Sequence, residues 1–104
     1  KELKIFLDSI KLITNGYKIT SCWVNKVTGE DLCWHQHPDV DLSIVYYLEN
    51  KSNMGTMFKE SDTKVAIKEC PQNSLLTFDS KLVHSSPLHL PEERYSIAID
   101  VIRK

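Results

Sequence analysis

Apolar residues recur at three- and four-residue steps at the start of the chain, at Leu3, Phe6, Ile10 and Ile13, which is the period of one helix face. The pattern predicts an amphipathic helix over 1–14, stopped at Asn15-Gly16. Beyond that point the period changes. Residues 17–26 are rich in β-formers and lead into a turn at Thr28-Gly29-Glu30-Asp31. Short strands are expected over 32–37, 42–48, 56–59, 64–68, 75–78, 82–84 and 95–102, with turns over 49–53 and at Pro71-Gln72-Asn73. Several of these carry apolar residues on both faces, which argues against a flat open sheet with one side in water. Seven or eight short strands at regular spacing predict a mainly β fold, closed or double-layered, and a jelly roll suits the length if the N-terminal helix packs on its outside.

With 104 residues, one domain is expected over 1–104, composed of helix 1–14 and a β core over 17–102. The first residue is Lys1 rather than Met, which is compatible with missing N-terminal sequence. Thirteen basic residues against 14 acidic ones give a net charge of −1, so charge supplies no case for nucleic acid or a membrane surface as partner. No apolar run approaches a membrane-spanning helix, and no signal peptide is visible. The three cysteines, Cys22, Cys33 and Cys70, are odd in number and form no CxxC pair. They point away from a disulfide scaffold or zinc finger and toward a reducing, cytoplasmic setting. Pairing into a dimer through the leading helix stays open.

Half of the four histidines sit two residues apart, at His35 and His37. On a strand, residues i and i+2 share a face, so the two imidazoles point the same way, and Asp39 joins them if the strand runs through Pro38. Imidazole is the commonest metal ligand. His84 ends another apolar stretch, and in a jelly roll it is placed to complete a three-point site. Three ligands on one side of an ion leave positions open, as in non-heme iron oxygenases with their two histidines and one carboxylate. The plain alternative is an exposed strand face carrying His35, His37 and Asp39. His89 lies between two prolines and reads as a loop residue.

Arg94 follows His84 by ten residues, and Ser96 shares its strand face. A guanidinium beside a hydroxyl is a receptor for a carboxylate, because the arginine fork meets both oxygens. The plain alternative is an Arg94 at an exposed strand end, paired with Glu92 or Glu93.

Together these pieces resemble the 2-oxoglutarate- and Fe(II)-dependent oxygenases, in particular small oxygenase-like proteins of bacteria, phages and marine environmental sequences related to the prolyl hydroxylases. The resemblance covers roughly residues 18–102. It is carried by 23-WVN-25, 35-HQHP-38, Ser43, 45-VYYL-48, 71-PQNSLLTF-78, His84 and 94-RYS-96. It implies a cupin-like double-stranded β-helix, with Fe(II) as cofactor and 2-oxoglutarate as cosubstrate. His35 and His84 would be iron ligands. His37 stands where the aspartate of the usual HxD pair would be, with Asp39 as the alternative third ligand. Arg94 would bind the far carboxylate of 2-oxoglutarate, helped by Ser96 and by Tyr47. Asn73 and Ile44 replace glycines common in the family, and asparagine tolerates the left-handed backbone a turn demands.

On this reading the protein is a dioxygenase that hydroxylates an unknown small molecule or a protruding residue of a peptide, and a bacterial, phage or environmental origin is expected. Trp23, Trp34, Tyr46 and Phe78 are candidates to line or support the cavity, with plain packing as the commoner role for such residues. Two rivals remain. One is a cupin-type metal-binding protein without 2-oxoglutarate, in which Asp41 lies near the expected glutamate. The other is a catalytically inactive β-sandwich serving as a binding module.

Overall fold

The computed structural model of the chain describes residues 8, 10, 11, 15–27, 34–86 and 94–104. The helix expected over 1–14 falls outside the described residues except at Asp8, Ile10 and Lys11, and no helical element is delimited among the described residues. The turn expected over 28–31 and His89 also lie outside them.

Seven strands are formed by the described residues: β1 (Tyr17–Val27), β2 (Leu42–Glu49), β3 (Met54–Lys59), β4 (Val65–Glu69), β5 (Leu75–Asp79), β6 (His84–Ser85) and β7 (Arg94–Arg103). They form a four-stranded sheet in the order β1-β7-β2-β5 and a three-stranded sheet in the order β4-β3-β6. All pairings are antiparallel. The strand expected over 32–37 is not present among its described residues: only His35 pairs there, as an isolated bridge to His84. Pro38 lacks an N–H, and the chain turns at Pro38-Asp39 before β2 begins.

Strand β7 is buried on both of its faces. Its odd positions Ile97, Ile99 and Val101 meet Ile44 and Tyr46 of β2 in the main apolar cluster, to which Ile10 contributes from the N-terminal segment. Its even positions Arg94, Ser96, Ala98 and Asp100 are also buried, on the opposite face. The same alternation places Ser43 and Tyr47 of β2 across from Asp100 and Ser96. One face of this sheet is therefore oily, and the other is polar and turned toward the small sheet.

The two sheets meet through few but specific contacts. Tyr47 Oη and Thr56 Oγ1 lie 2.7 Å apart. Phe58 of β3 and Phe78 of β5 pack edge to face at 5.0 Å. Arg94 reaches from β7 to the carbonyls of Met54 and Gly55 in β3. The turn before β5 needs a left-handed residue, and Asn73 supplies it with φ of 66° while its Oδ1 accepts a hydrogen bond from Tyr46 Oη at 2.7 Å. No helix among the described residues is long and apolar enough to cross a membrane.

Candidate metal and carboxylate site

Backbone pairing sets the geometry of the histidines. His35 and His84 exchange both main-chain hydrogen bonds, His35 N–H to His84 O at 3.0 Å and His84 N–H to His35 O at 2.9 Å. Directly opposed residues of an antiparallel pair project their side chains to the same face. The His37 N–H donates to Ser80 O at 2.8 Å, which holds the next turn of chain against the sheets. The imidazole centroids of His35 and His84 are 4.2 Å apart, and His37 lies 5.1 Å from the first and 5.3 Å from the second. One ring nitrogen from each residue lies within 4.8 Å of the other two.

Hydrogen bonding decides which nitrogen is available on two of these rings. His84 Nδ1 is 2.7 Å from the Leu82 carbonyl oxygen, which can only accept, so Nδ1 carries the proton and Nε2 keeps its lone pair. His37 Nδ1 likewise faces an acceptor, the Asp100 carboxylate at 3.2 Å. Burial pushes the His84 pKa below its ordinary value, with the neighbouring His35 and His37 adding to the effect. At neutral pH this imidazole is uncharged and able to coordinate. Phe78 closes one side of it, edge on at 4.7 Å. The donor set therefore fits a divalent transition metal: three imidazoles, converging from one direction.

The same cavity continues to Arg94, with Thr56, Ser86, Ser96 and Asp100 on its wall. Arg94 is almost fully buried. Its Nη1 donates to Met54 O at 2.8 Å and Gly55 O at 2.6 Å, and its Nη2 donates to Ser86 Oγ at 3.2 Å. The guanidinium carbon sits 5.1 Å from the centroid of the Tyr47 ring. Burial lowers the Arg94 pKa, while the side chain stays charged at any ordinary pH. Its Nε is buried and has no hydrogen-bond partner among the described residues. Nε and Nη2 form the side edge of the fork, the edge that takes a carboxylate in bidentate fashion.

Several residues expected at the site take other places. Asp39 is exposed and does not belong to the histidine cluster. Asp41 Oδ2 accepts the Arg103 backbone N–H at 2.6 Å and is likewise outside the cluster. Tyr47 is not on the cavity wall; it lies beneath Arg94, its hydroxyl held by Thr56, and Thr56 lines the cavity in its stead. Trp23 and Phe78 line the wall, while Tyr46 packs in the apolar cluster on the far face. Ile44 is fully buried in that cluster.

Asp100 is the site residue that the sequence reading passed over. Its signal was available: 94, 96, 98 and 100 share one face of β7, so an acid inside the apolar run Ile97–Ile102 falls on the same face as Arg94 and Ser96.

No protein-family model matches the chain, and no curated protein is significantly similar to it in sequence. Solved structures share its fold. An oxidoreductase of the 2OG-Fe(II) oxygenase family from Burkholderia pseudomallei superposes with a TM-score of 0.70 at 16% identity, over 85% of this chain and 46% of its own. The nickel complex of the non-heme monooxygenase ThoJ superposes with a TM-score of 0.66 at 15% identity, over 94% of this chain and 49% of its own. The chain thus spans about half the length of each. At these identities the likeness is one of fold, shared with a member of the 2OG-Fe(II) oxygenase family and with a non-heme monooxygenase.

Proposed function

We propose that the chain is an Fe(II)- and 2-oxoglutarate-dependent dioxygenase built on a double-stranded β-helix. The observation that carries this reading is the placement of a buried arginine, with an Nε unpartnered among the described residues, on the wall of the cavity that gathers three imidazoles. A buried charged donor left without a partner is costly, and a ligand carboxylate would relieve that cost.

In this reading His35, His37 and His84 hold Fe(II), and Arg94 with Ser96 holds the far carboxylate of 2-oxoglutarate. The bound pair supplies the oxidation: with one O₂, 2-oxoglutarate becomes succinate and CO₂ and a substrate C–H becomes C–OH. The protein's own part is positioning. Two carbonyls fix Nη1 of Arg94 before any ligand arrives, and the Tyr47 ring supports the guanidinium plane. Phe78 and Trp23 bring apolar surface to the wall and so limit water there. The substrate is a small molecule or a side chain presented by a peptide.

A second reading rests on the contacts Arg94 already makes. Its bonds to Met54, Gly55 and Ser86 tie the two sheets together, a structural duty that a cupin-type metal-binding protein would also value. Anaerobic titration with Fe(II) and then 2-oxoglutarate separates the two. A weak visible charge-transfer band that appears on adding 2-oxoglutarate, and is lost in Arg94→Met and His84→Ala, supports the dioxygenase. Iron binding without any response to 2-oxoglutarate supports the cupin-type protein. No metal binding at all leaves an inactive β-sandwich.

A further inference from the structure

The neighbourhood of Asp100 carries an assignment beyond the three imidazoles. Asp100 sits mid-strand in β7 and is nearly fully buried. Ser21 of β1 and Ser43 of β2 stand directly opposite it on either side. Ser43 Oγ donates to its Oδ1 at 2.9 Å, and Ser21 Oγ lies 3.4 Å from its Oδ2. Ser43 Oγ is in turn 3.1 Å from Ser80 Oγ, and Ser80 carries the carbonyl that accepts the His37 N–H. His37 Nδ1 faces Oδ2 at 3.2 Å. A register irregularity between Ile19 and Ser21 brings Ser21 opposite Asp100 and lets Thr20 Oγ1 donate to the Asp100 carbonyl at 3.1 Å. A carboxylate in an apolar strand is thus seated by hydroxyls on both flanks and aimed at one imidazole.

We propose that Asp100 is the positioning residue of the metal centre: its carboxylate fixes His37 as the Nδ1–H tautomer, presents Nε2 as the donor, and restores the negative charge that a three-histidine set lacks. The proposal rests on reading His35, His37 and His84 as metal ligands. A carboxylate behind a ligating imidazole sets its tautomer and ring angle and raises its basicity. Charge gives the second reason. Three neutral imidazoles leave a divalent ion at +2, whereas two histidines and one carboxylate bring it to +1. Asp100, one imidazole removed, brings the three-histidine centre back to +1. The negative charge that other sites place on the metal is here placed behind His37.

The test uses the whole chain with Co(II) as spectroscopic probe and with Fe(II) under anaerobic conditions. Asp100→Asn keeps the shape and an acceptor oxygen but removes the charge. It is expected to bind both metals roughly 10- to 100-fold more weakly than wild type. In the metal-free protein, ¹⁵N NMR of the imidazoles should show His37 protonated at Nδ1 in wild type and a mixture of tautomers in Asp100→Asn. A merely structural carboxylate would leave that signature unchanged. Ser43→Ala keeps the carboxylate and removes one of its anchors, so it carries the same test if Asp100→Asn does not fold; a smaller fall in affinity is expected. Wild-type affinity and an unchanged tautomer in both variants would overturn the proposal and leave the metal site standing. Metal binding restored by Asp100→Glu with a shifted Co(II) d–d spectrum would also overturn it, making Asp100 a direct ligand. A wild-type chain that binds neither metal would overturn the metal site itself, and the proposal with it.

Discussion

His35 and His84 face each other across a single antiparallel bridge and donate their backbone N–H groups to each other's carbonyls at 3.0 and 2.9 Å. The bridge is made by main-chain atoms, so it does not depend on the imidazoles it presents. His84→Ala is therefore expected to keep the fold and lose the ion. Wild type should melt at a higher temperature with Fe(II) or Co(II) present; an ion at a hundred times its Kd stabilises by about 2.7 kcal/mol. His84→Ala should show no such shift by calorimetry.

Arg94→Lys tests the carboxylate receptor apart from the metal. Lysine keeps the charge but has no fork, and it cannot serve two carbonyls and a carboxylate together. Metal affinity should be unchanged, and the spectral response to 2-oxoglutarate should fall at least tenfold in affinity, which corresponds to about 1.4 kcal/mol. Arg94→Met goes further: it removes the guanidinium from the Gly55 carbonyl and leaves the Met54 carbonyl to the Asn50 amide alone. Its urea midpoint should drop by the equivalent of about 1–3 kcal/mol.

Tyr47 gives a pH dependence with a definite sign. Burial holds its phenol well above the ordinary value of 10.0, against the opposing effects of the Thr56 hydrogen bond and the Arg94 charge. The unfolded chain therefore releases this proton before the folded one does. Its contribution to stability is complete below about pH 10 and is lost as pH rises beyond it. Urea midpoints followed from roughly pH 9 to 11 should fall in wild type and fall less steeply in Tyr47→Phe. At neutral pH the same variant should lose only about 0.5–1.5 kcal/mol, the worth of the hydrogen bond to Thr56.

Gly55→Ala should weaken the fold and the carboxylate receptor together. A β-carbon at this position would stand 2.6 Å from the Lys68 carbonyl oxygen and 2.8 Å from Cys70 Cβ, and would run into Cys70 Sγ. The Lys68 contact is with backbone, which must shift to admit the methyl, so a loss of about 1–3 kcal/mol is expected. Because Gly55 O also anchors Arg94 Nη1, 2-oxoglutarate affinity should fall while metal affinity holds. Denaturation and the anaerobic titration read the two effects separately.

Much of this was legible before any coordinates, and the exceptions have physical causes. Strand period and turn residues located six of the seven strands within a residue or two, and they placed Asn73 in its left-handed turn. The expected strand over 32–37 reduced to one bridging residue, because Pro38 and the turn beyond it leave no ladder to extend. The convergence of His35 and His37 with His84 was anticipated from their order. The position of Asp39 was not, since a turn reverses the face that simple alternation assigns. The family resemblance implies Tyr47 beside a ligand, and it does share a face with Arg94 and Ser96, yet being on the face does not open a residue to the cavity: Arg94 and Thr56 lie over it. Asp100 was hidden by its neighbours, since an acid within an isoleucine-rich run gives no local motif. Its shared face with Arg94 and Ser96 is the one signal in the sequence, and the register against Ser21 and Ser43 completes its setting.

The centre lies across the seam of the fold. His84 belongs to the small sheet, while the Asp100 behind His37 belongs to the large one. An ion held by the three imidazoles, as proposed, would act as a rivet, and its removal would leave the seam to contacts such as those of Tyr47, Arg94 and the Phe58–Phe78 pair. A chain stripped of metal would open there first and meet proteases sooner. On the proposed function, the supply of the metal would then set how long each copy of the protein survives.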